Sequence, residues 1–377
     1  MHWDKSYKTN IGFDLHLLNR RLSLSVDYFY ERNREMLLKL TQNVASTVGT
    51  TTASTNYGEM NSWGWEFSLN WRDKIGPDFK YHIGINTGFH DNEVLVANWT
   101  TNPNEIYRSM QPGSRTDLGV WGLECIGMFR SFHDIDEYFD KYLKKEDGTY
   151  GKYMNLEKSQ VKPGMLIYKD VRGNDSNTGQ YTGPDKEVSK ELDLVHLSNR
   201  SNPYGLTTNF GCEWKGISMN AQLSANWGGY QILPSQAISV PSSQTLDNTN
   251  FASFWNPDDV YVYQDIYDDK GRLLQAMNHN AQYPVFPYGD FSINAAASSF
   301  WRVSAATVRL TRLTIAYSIP KQWLSYVKVI KSARINITGQ NLINFYNPWP
   351  DRFSNSWAGY YNYPNLRKWT IGVNLSF

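Results

Sequence analysis

The feature that most constrains this chain is an alternation of apolar and polar residues with a period of two, carried through long blocks that turn residues separate. A period of two sends successive side chains to opposite faces of a strand, so each block reads as a strand with one apolar face. Ile11, Phe13, Leu15 and Leu17 share such a face, and after the short connection 18–21 so do Leu22, Leu24, Val26, Tyr28 and Tyr30, set against Ser23, Ser25 and Asp27. Trp63, Trp65, Phe67, Leu69 and Trp71 form the next row, followed across residues 72–78 by Phe79, Tyr81, Ile83 and Ile85. GLTTNFGCEW turns at Lys215 and Gly216 into a row of Ile217, Met219, Ala221, Leu223, Ala225 and Trp227. LTIAYSIP and SARINITGQNL follow, and the chain ends on Trp369, Ile371, Val373, Leu375 and Phe377, interleaved with Thr370, Gly372, Asn374 and Ser376.

Blocks of about ten residues or more suit a tilted bilayer crossing, whereas sandwich strands usually run about five or six. The face opposite the apolar rows is mostly Ser, Asn, Thr and Gly rather than solvated charge, which suits a crowded polar lumen. Composition agrees. Aromatics make up 15% of the chain, with 25 Tyr and 14 Trp, yet the mean hydropathy is -0.54. A membrane barrel combines these naturally, since only alternate residues meet lipid and aromatic belts mark both interfaces. No apolar run approaches the roughly 20 residues of a spanning helix. The expected fold is therefore all-β: a transmembrane antiparallel β-barrel, of which about nine strands are present. A secreted β-sandwich is the alternative, and it predicts solubility without detergent.

Connections alternate in length. Those at 18–21, 72–78, 215–216 and 320–331 are short; those near 32–56, 90–204, 228–300 and 343–365 are long. Short turns belong to the periplasmic side and long loops to the outside, which places the C-terminus in the periplasm. GVWGLECIGMF, residues 119–129, has strand-like composition, but a single crossing there would invert every later strand. It is expected in an extracellular lobe spanning 90–204.

Net charge is +1, with no basic stripe to follow a phosphate backbone, so nucleic acid is not an expected partner. Cys125 and Cys212 fit no metal spacing and read as unpaired thiols. There is no HExxH, GxSxG, phosphate-binding Gly loop or CxxC, the seven His are scattered, and the pairs Asp258–Asp259 and Asp268–Asp269 read as solvated charge; no enzyme is expected. Candidate cargo contacts lie in two aromatic, polar loops: Trp255, Asp258 and Tyr261 in residues 251–263, and Trp349, Arg352 and Trp357 in residues 347–357. Aromatic faces stack on sugars, and Asp and Arg can hydrogen-bond hydroxyl or peptide groups. Plain loop packing, or contact with a partner protein, is the heavier reading of the same residues. The N-terminus lacks the layout of a signal peptide, so the chain is expected to have lost its front.

Several stretches resemble the SusC/RagA-type TonB-dependent transporters of Bacteroidetes-type bacteria. YYNYPNLRKWTIGVNLSF, from Tyr360 to Phe377, resembles their closing strand, and SSFWRVSAATVRLTRLTIAYSIP, from Ser298 to Pro320, resembles an earlier one. GQNLINF, from Gly339, and VKPGMLIYKDVRG, from Val161, resemble loop motifs in the same order. The resemblance implies a barrel of about 22 strands around a plug, TonB as energy source, a SusD-like surface lipoprotein as lid, and glycan or oligopeptide cargo. It also implies that the terminal row Trp369, Ile371, Val373, Leu375 and Phe377 is read by the barrel-assembly machinery. A plug and early strands are missing here, so the chain is expected to be a fragment or one of two polypeptides. A passive porin or surface adhesin is the alternative function. Family members continue the Val161 loop with a calcium-type run; here Asp170, Asn174, Asp175 and Asn177 keep oxygen donors, but Arg172 opposes a cation and the turn Gly is displaced. No cofactor is expected, and a solvated loop is preferred to a calcium site.

Overall fold

The computed structural model describes residues 2–39, 54–97, 110–175, 178–233, 238, 257–286, 289–324, 329–349 and 366–377. Nine long strands form one antiparallel sheet in which every strand pairs with its sequence neighbour. They are β1 (Lys5–Leu17), β2 (Leu22–Lys39), β3 (Ser54–Ile75), β4 (Phe79–Val96), β5 (Tyr204–Trp214), β6 (Ile217–Trp227), β7 (Thr307–Ser318), β8 (Ser332–Tyr346) and β9 (Lys368–Ser376). Lys215 (φ 48°) and Gly216 (φ 87°) make the tightest hairpin, with both central residues in the left-handed region that matches strand twist. The described helices include none long and apolar enough to cross a membrane.

The register turns the alternation of each strand into a property of the whole sheet. Leu17, Leu22, Trp71, Ile83, Phe210, Ala221, Leu313, Gly339 and Trp369 are successive cross-strand partners, an apolar row broken by no charge. One residue along, the partners are His16, Ser23, Asn70, Gly84, Asn209, Gln222, Arg312, Gln340 and Lys368, all polar or glycine. A one-residue slip of any strand would exchange the two rows, so the faces fix the register. A bulge at Gln222/Leu223 lets Thr311 leave the ladder, its hydroxyl donating to the Gln222 carbonyl at 3.0 Å.

The polar face is concave. Residues of β3, β4, β5, β6 and β8 line a single hollow of about 710 Å³ on it, and Arg334 of β8 reaches across β7 to donate to Ser218 Oγ of β6 at 2.7 Å. At Gly211 the His82 ring and the Asn220 amide crowd in where a Cβ would stand, so a larger residue there would make them shift. The apolar face is convex and exposed: Ile11, Phe13, Ile315, Ile337, Trp369 and Val373 all stand open, and Ile371 is 74% exposed.

The dry core lies outside the sheet. It is built from two connections together, with Leu123, Phe129, Phe139, Tyr153, Leu166 and Tyr168 from one, Leu233, Ile238, Ala296 and Trp301 from the other, and Trp349 from the end of β8. Backbone bonds sew the two, Leu123 donating to the Ala297 carbonyl at 2.8 Å. Fully buried Asn294 accepts from Leu166 N and donates to the Gly164 and Val285 carbonyls, which satisfies three polar groups at once. Val120–Leu123 pairs with Leu194–Ser198, and Cys125–Met128 with Leu166–Tyr168; neither pair joins the nine-stranded sheet. The packing unit is thus shared between the two connections, with most of its buried side chains from the first.

Candidate functional site

The concave face carries charge in an unusual arrangement. Asp27 sits directly opposite Glu66, and Lys74 directly opposite Lys80. Like charges in register destabilise a strand pair, and none of the four has an ion-pair partner among the described residues. Asp27 and Glu66 line a smaller hollow with Ser25, Ser68 and Asn86. Lys74 and Lys80 line the large one beside Arg72, His82 and Arg334, with Glu213 the acid on the same face. Positions that break a local rule in this way are expected at functional or strained sites.

The six candidate cargo contacts separate. Asp258 is exposed in the turn Pro257–Asp259, where Asn278 Nδ2 donates to its carbonyl at 2.6 Å. Tyr261 is 2% exposed; its hydroxyl donates to the Arg130 carbonyl at 2.5 Å and its ring stacks on His279. Trp349, 7% exposed, belongs to the dry core. Tyr261 and Trp349 are thus enclosed by their own chain. Trp255, Arg352 and Trp357 lie outside the described residues. Sequence reasoning overlooked the hairpin Ile266–Tyr267/Leu273–Gln275, where Ile266, Tyr267, Leu273 and Leu274, with nearby Tyr263 and Met277, expose apolar surface. The signal was present in IYDDKGRLL, a turn sequence between apolar pairs.

The calcium candidates are occupied by hydrogen bonds. Asp170 accepts from the backbone of Asp185 at 3.3 Å and of Lys186 at 2.9 Å. Asn174 bridges Tyr181 through the backbone, and Asp175 accepts the Thr178 hydroxyl at 3.0 Å. Arg172 packs over Tyr181 and donates to the Leu194 carbonyl. Asn177 lies outside the described residues. Among the described residues no three His, Cys, Asp or Glu side chains are grouped as a metal ion would need. Cys125 and Cys212 are free thiols.

Asp170 has a second consequence. Burial pushes its carboxyl up to about 6 from an ordinary 3.8, against the pull of the Lys186 amide. A carboxyl raised in the fold favours the protonated state, so its contribution is fully present below about pH 3.8 and is lost as pH rises through 6. Backbone amides around Asp170 and Lys186 should therefore exchange hydrogen more slowly at pH 5 than at pH 7.5 after correction for intrinsic rates. The difference should shrink in Asp170→Asn, and equal protection at both values would count against it.

A family description, "TonB dependent receptor-like, beta-barrel", matches residues 3–123, which cover β1 to β4 and the connection beyond. TonB-dependent receptor P3 of Formosa agariphila is 22% identical over the whole of this chain and 34% of its own length. TonB-dependent receptor SusC of Bacteroides thetaiotaomicron is 27% identical over 97 residues, 25% of this chain and 9% of its own. The structure of the RagAB peptide importer in its closed-closed state superposes on all of this chain with a TM-score of 0.63 at 18% identity, covering 36% of that chain. The chain is similar to the SusC/RagA-type TonB-dependent receptors, and its sheet has the fold of their barrel wall. The open-open state of the RagAB importer gives nearly the same agreement, with a TM-score of 0.62. At such identities the superposition speaks for the fold, and the chain spans about a third of the length of TonB-dependent receptor P3 and of the RagAB chain it superposes on.

Proposed function

We propose that this chain forms the C-terminal nine strands of an outer-membrane importer that takes up nutrients of the glycan or oligopeptide class, energised through TonB. The observation that carries the reading is the pair of adjoining rows, one apolar and one polar apart from a single glycine in each, running through nine strands. An apolar convex face against lipid and a polar concave face around a filled lumen is the geometry of a spanning barrel. β1 and β9 each pair on one side alone, so further strands of the same protein close the wall, and a plug fills it. The in-register like charges support that plug, since an occupant of opposite charge offsets their repulsion.

Short turns face the periplasm, and the shared loop core with its exposed hairpin stands outside, where residues 90–204 contribute to an extracellular lobe. A SusD-like lipoprotein fits there: Ile266, Leu273 and Leu274 offer apolar surface that water alone would not favour. The test is growth and uptake with the full-length gene. Import on a glycan or oligopeptide must fail when TonB is removed, and a surface lipoprotein must copurify; uptake indifferent to TonB would make the barrel a passive pore.

The terminal row Trp369, Ile371, Val373, Leu375 and Phe377 is all exposed on the convex face and serves as the assembly signal. Deleting Phe377 from the full-length protein should lower the outer-membrane fraction about tenfold, the ratio set by about 1.4 kcal/mol of lost recognition, with synthesis unchanged. Unaltered insertion would remove the role.

A further inference from the structure

The convex face of β1 and β2 changes character along its length. From the short turn upward the rows are Leu17/Leu22, Leu15/Leu24, Phe13/Val26 and Ile11/Tyr28, then Thr9/Tyr30 and Tyr7/Arg32. At about 3.3 Å per residue and a strand tilt of about 40°, the ten residues from Leu22 to Arg32 rise about 25 Å, the height of the apolar band of an outer-membrane barrel. Arg32 therefore stands where hydrocarbon gives way to headgroups on the long-loop side.

A groove of about 470 Å³ opens at that level, lined by Tyr7, Thr9, Tyr30, Arg32 and Arg34. No carboxylate lines it. Arg34 is committed to the wall, with Nε 3.2 Å from Glu59 Oε2 and its other nitrogens on the Asn61 side chain and the Asn33 and Met60 carbonyls. Arg32 is not. It is exposed, its guanidinium lies 5.4 Å from the centre of the Tyr30 ring, and among the described residues it meets no acid. The hydroxyls of Tyr7, Thr9 and Tyr30 likewise donate to nothing among the described residues. A fixed cation with three free hydroxyls around it, on a lipid-facing wall at headgroup height, is a site for an anion that arrives with acyl chains.

We propose that this groove binds the phosphate-bearing headgroup of an outer-leaflet lipid, with Arg32 on the phosphate, the hydroxyls of Tyr7, Thr9 and Tyr30 on its remaining oxygens, and the acyl chains along Phe13, Ile11 and Tyr28. Arg suits the task because its planar fork matches phosphate and its weak hydration makes removal from water less costly. Stacking on Tyr30 holds the fork in place. Bound there, the lipid would fix the height of the barrel in the membrane beside the loops. The inference rests on the orientation proposed above.

The experiment uses the full-length protein extracted in mild detergent, delipidated, and offered outer-membrane lipid extract before and after enzymatic dephosphorylation, with retained lipid counted by native mass spectrometry. The wild type should retain phosphorylated lipid and hold the dephosphorylated extract more weakly. Arg32→Gln should retain about fivefold less, the share of one cation at a membrane surface, while Arg32→Lys keeps part of the binding. Equal retention by wild type and Arg32→Gln, or indifference to dephosphorylation, would overturn the proposal, as would displacement of the lipid by millimolar inorganic phosphate alone. Heat-modifiable migration of both variants checks that the barrel has folded. A Tyr263→Cys label applied to intact cells, in a background with Cys125→Ser and Cys212→Ser, tests orientation separately: labelling from outside upholds it, and labelling only after permeabilisation overturns both the orientation and the lipid site.

Discussion

Phe67→Arg should destabilise the folded barrel by about 2–4 kcal/mol, the cost of a cation near the bilayer midplane, while Ser68→Arg, one residue on, should cost under about 1 kcal/mol. Phe67 partners Val26 and Thr87 on the convex face, four residues above the Leu22–Trp71 pair, which places it near the middle of the apolar band. Ser68 points into the concave face, where its hydroxyl donates to Asn86 Oδ1 at 2.8 Å. The measurement is reversible unfolding of the full-length protein in lipid vesicles. A sheet whose apolar face met water would make the opposite forecast, because a water-exposed Phe67 would accept Arg at little cost. Equal destabilisation by the two substitutions would also sink the assignment of faces.

That contrast was legible in the sequence because it depends on a period of two, and Lys215–Gly216 and the other short turns pin the register on which the period acts. The ends of the strands were not. β3 begins at Ser54, well before the alternation that starts at Trp63, and β2 runs on to Lys39 through a bulge beside Asn33. Under the proposed orientation these ends stand above the bilayer, where both faces meet water, so side chains stop alternating while the backbone ladder, which needs no side-chain pattern, continues.

The loop residues were legible only in part. For Tyr261 and Trp349 the sequence leaves cargo contact and loop packing both open, because an aromatic on a polar loop looks the same whether it stacks on a sugar or on its own chain. What decides is a contact such as Tyr261 with Arg130, 131 residues away, and no local pattern announces it. The direct opposition of Asp27 and Glu66 was hidden for the same reason: each lies in a well-formed strand, and only the register brings them together.

The shared loop core makes the second large prediction. Trp301→Ala should cost the loop packing about 3–5 kcal/mol and should loosen both contributing connections, not merely its own. Trp301 is 1% exposed; its Nε1 donates to the Asn294 carbonyl at 2.6 Å, its ring meets Phe300 edge-on at 4.7 Å and stacks over Tyr283 at 6.2 Å, and its carbonyl accepts from Leu233 N. Asn294, tied to Trp301 on one side, holds Gly164 and Leu166 of the other connection on the opposite side. Removing the indole therefore opens a cavity beneath a buried side chain that bridges the two segments. Limited proteolysis of the full-length protein should show new cleavage within residues 120–194 as well as 289–304, with the strands still protected and the barrel still heat-modifiable. Trp301→Phe, which keeps a ring but not the indole donor, should fall between. Cleavage confined to 289–304 would mean that the connections pack independently, and the loops could not then pass a cargo-induced or partner-induced shift from one to the other as a single body.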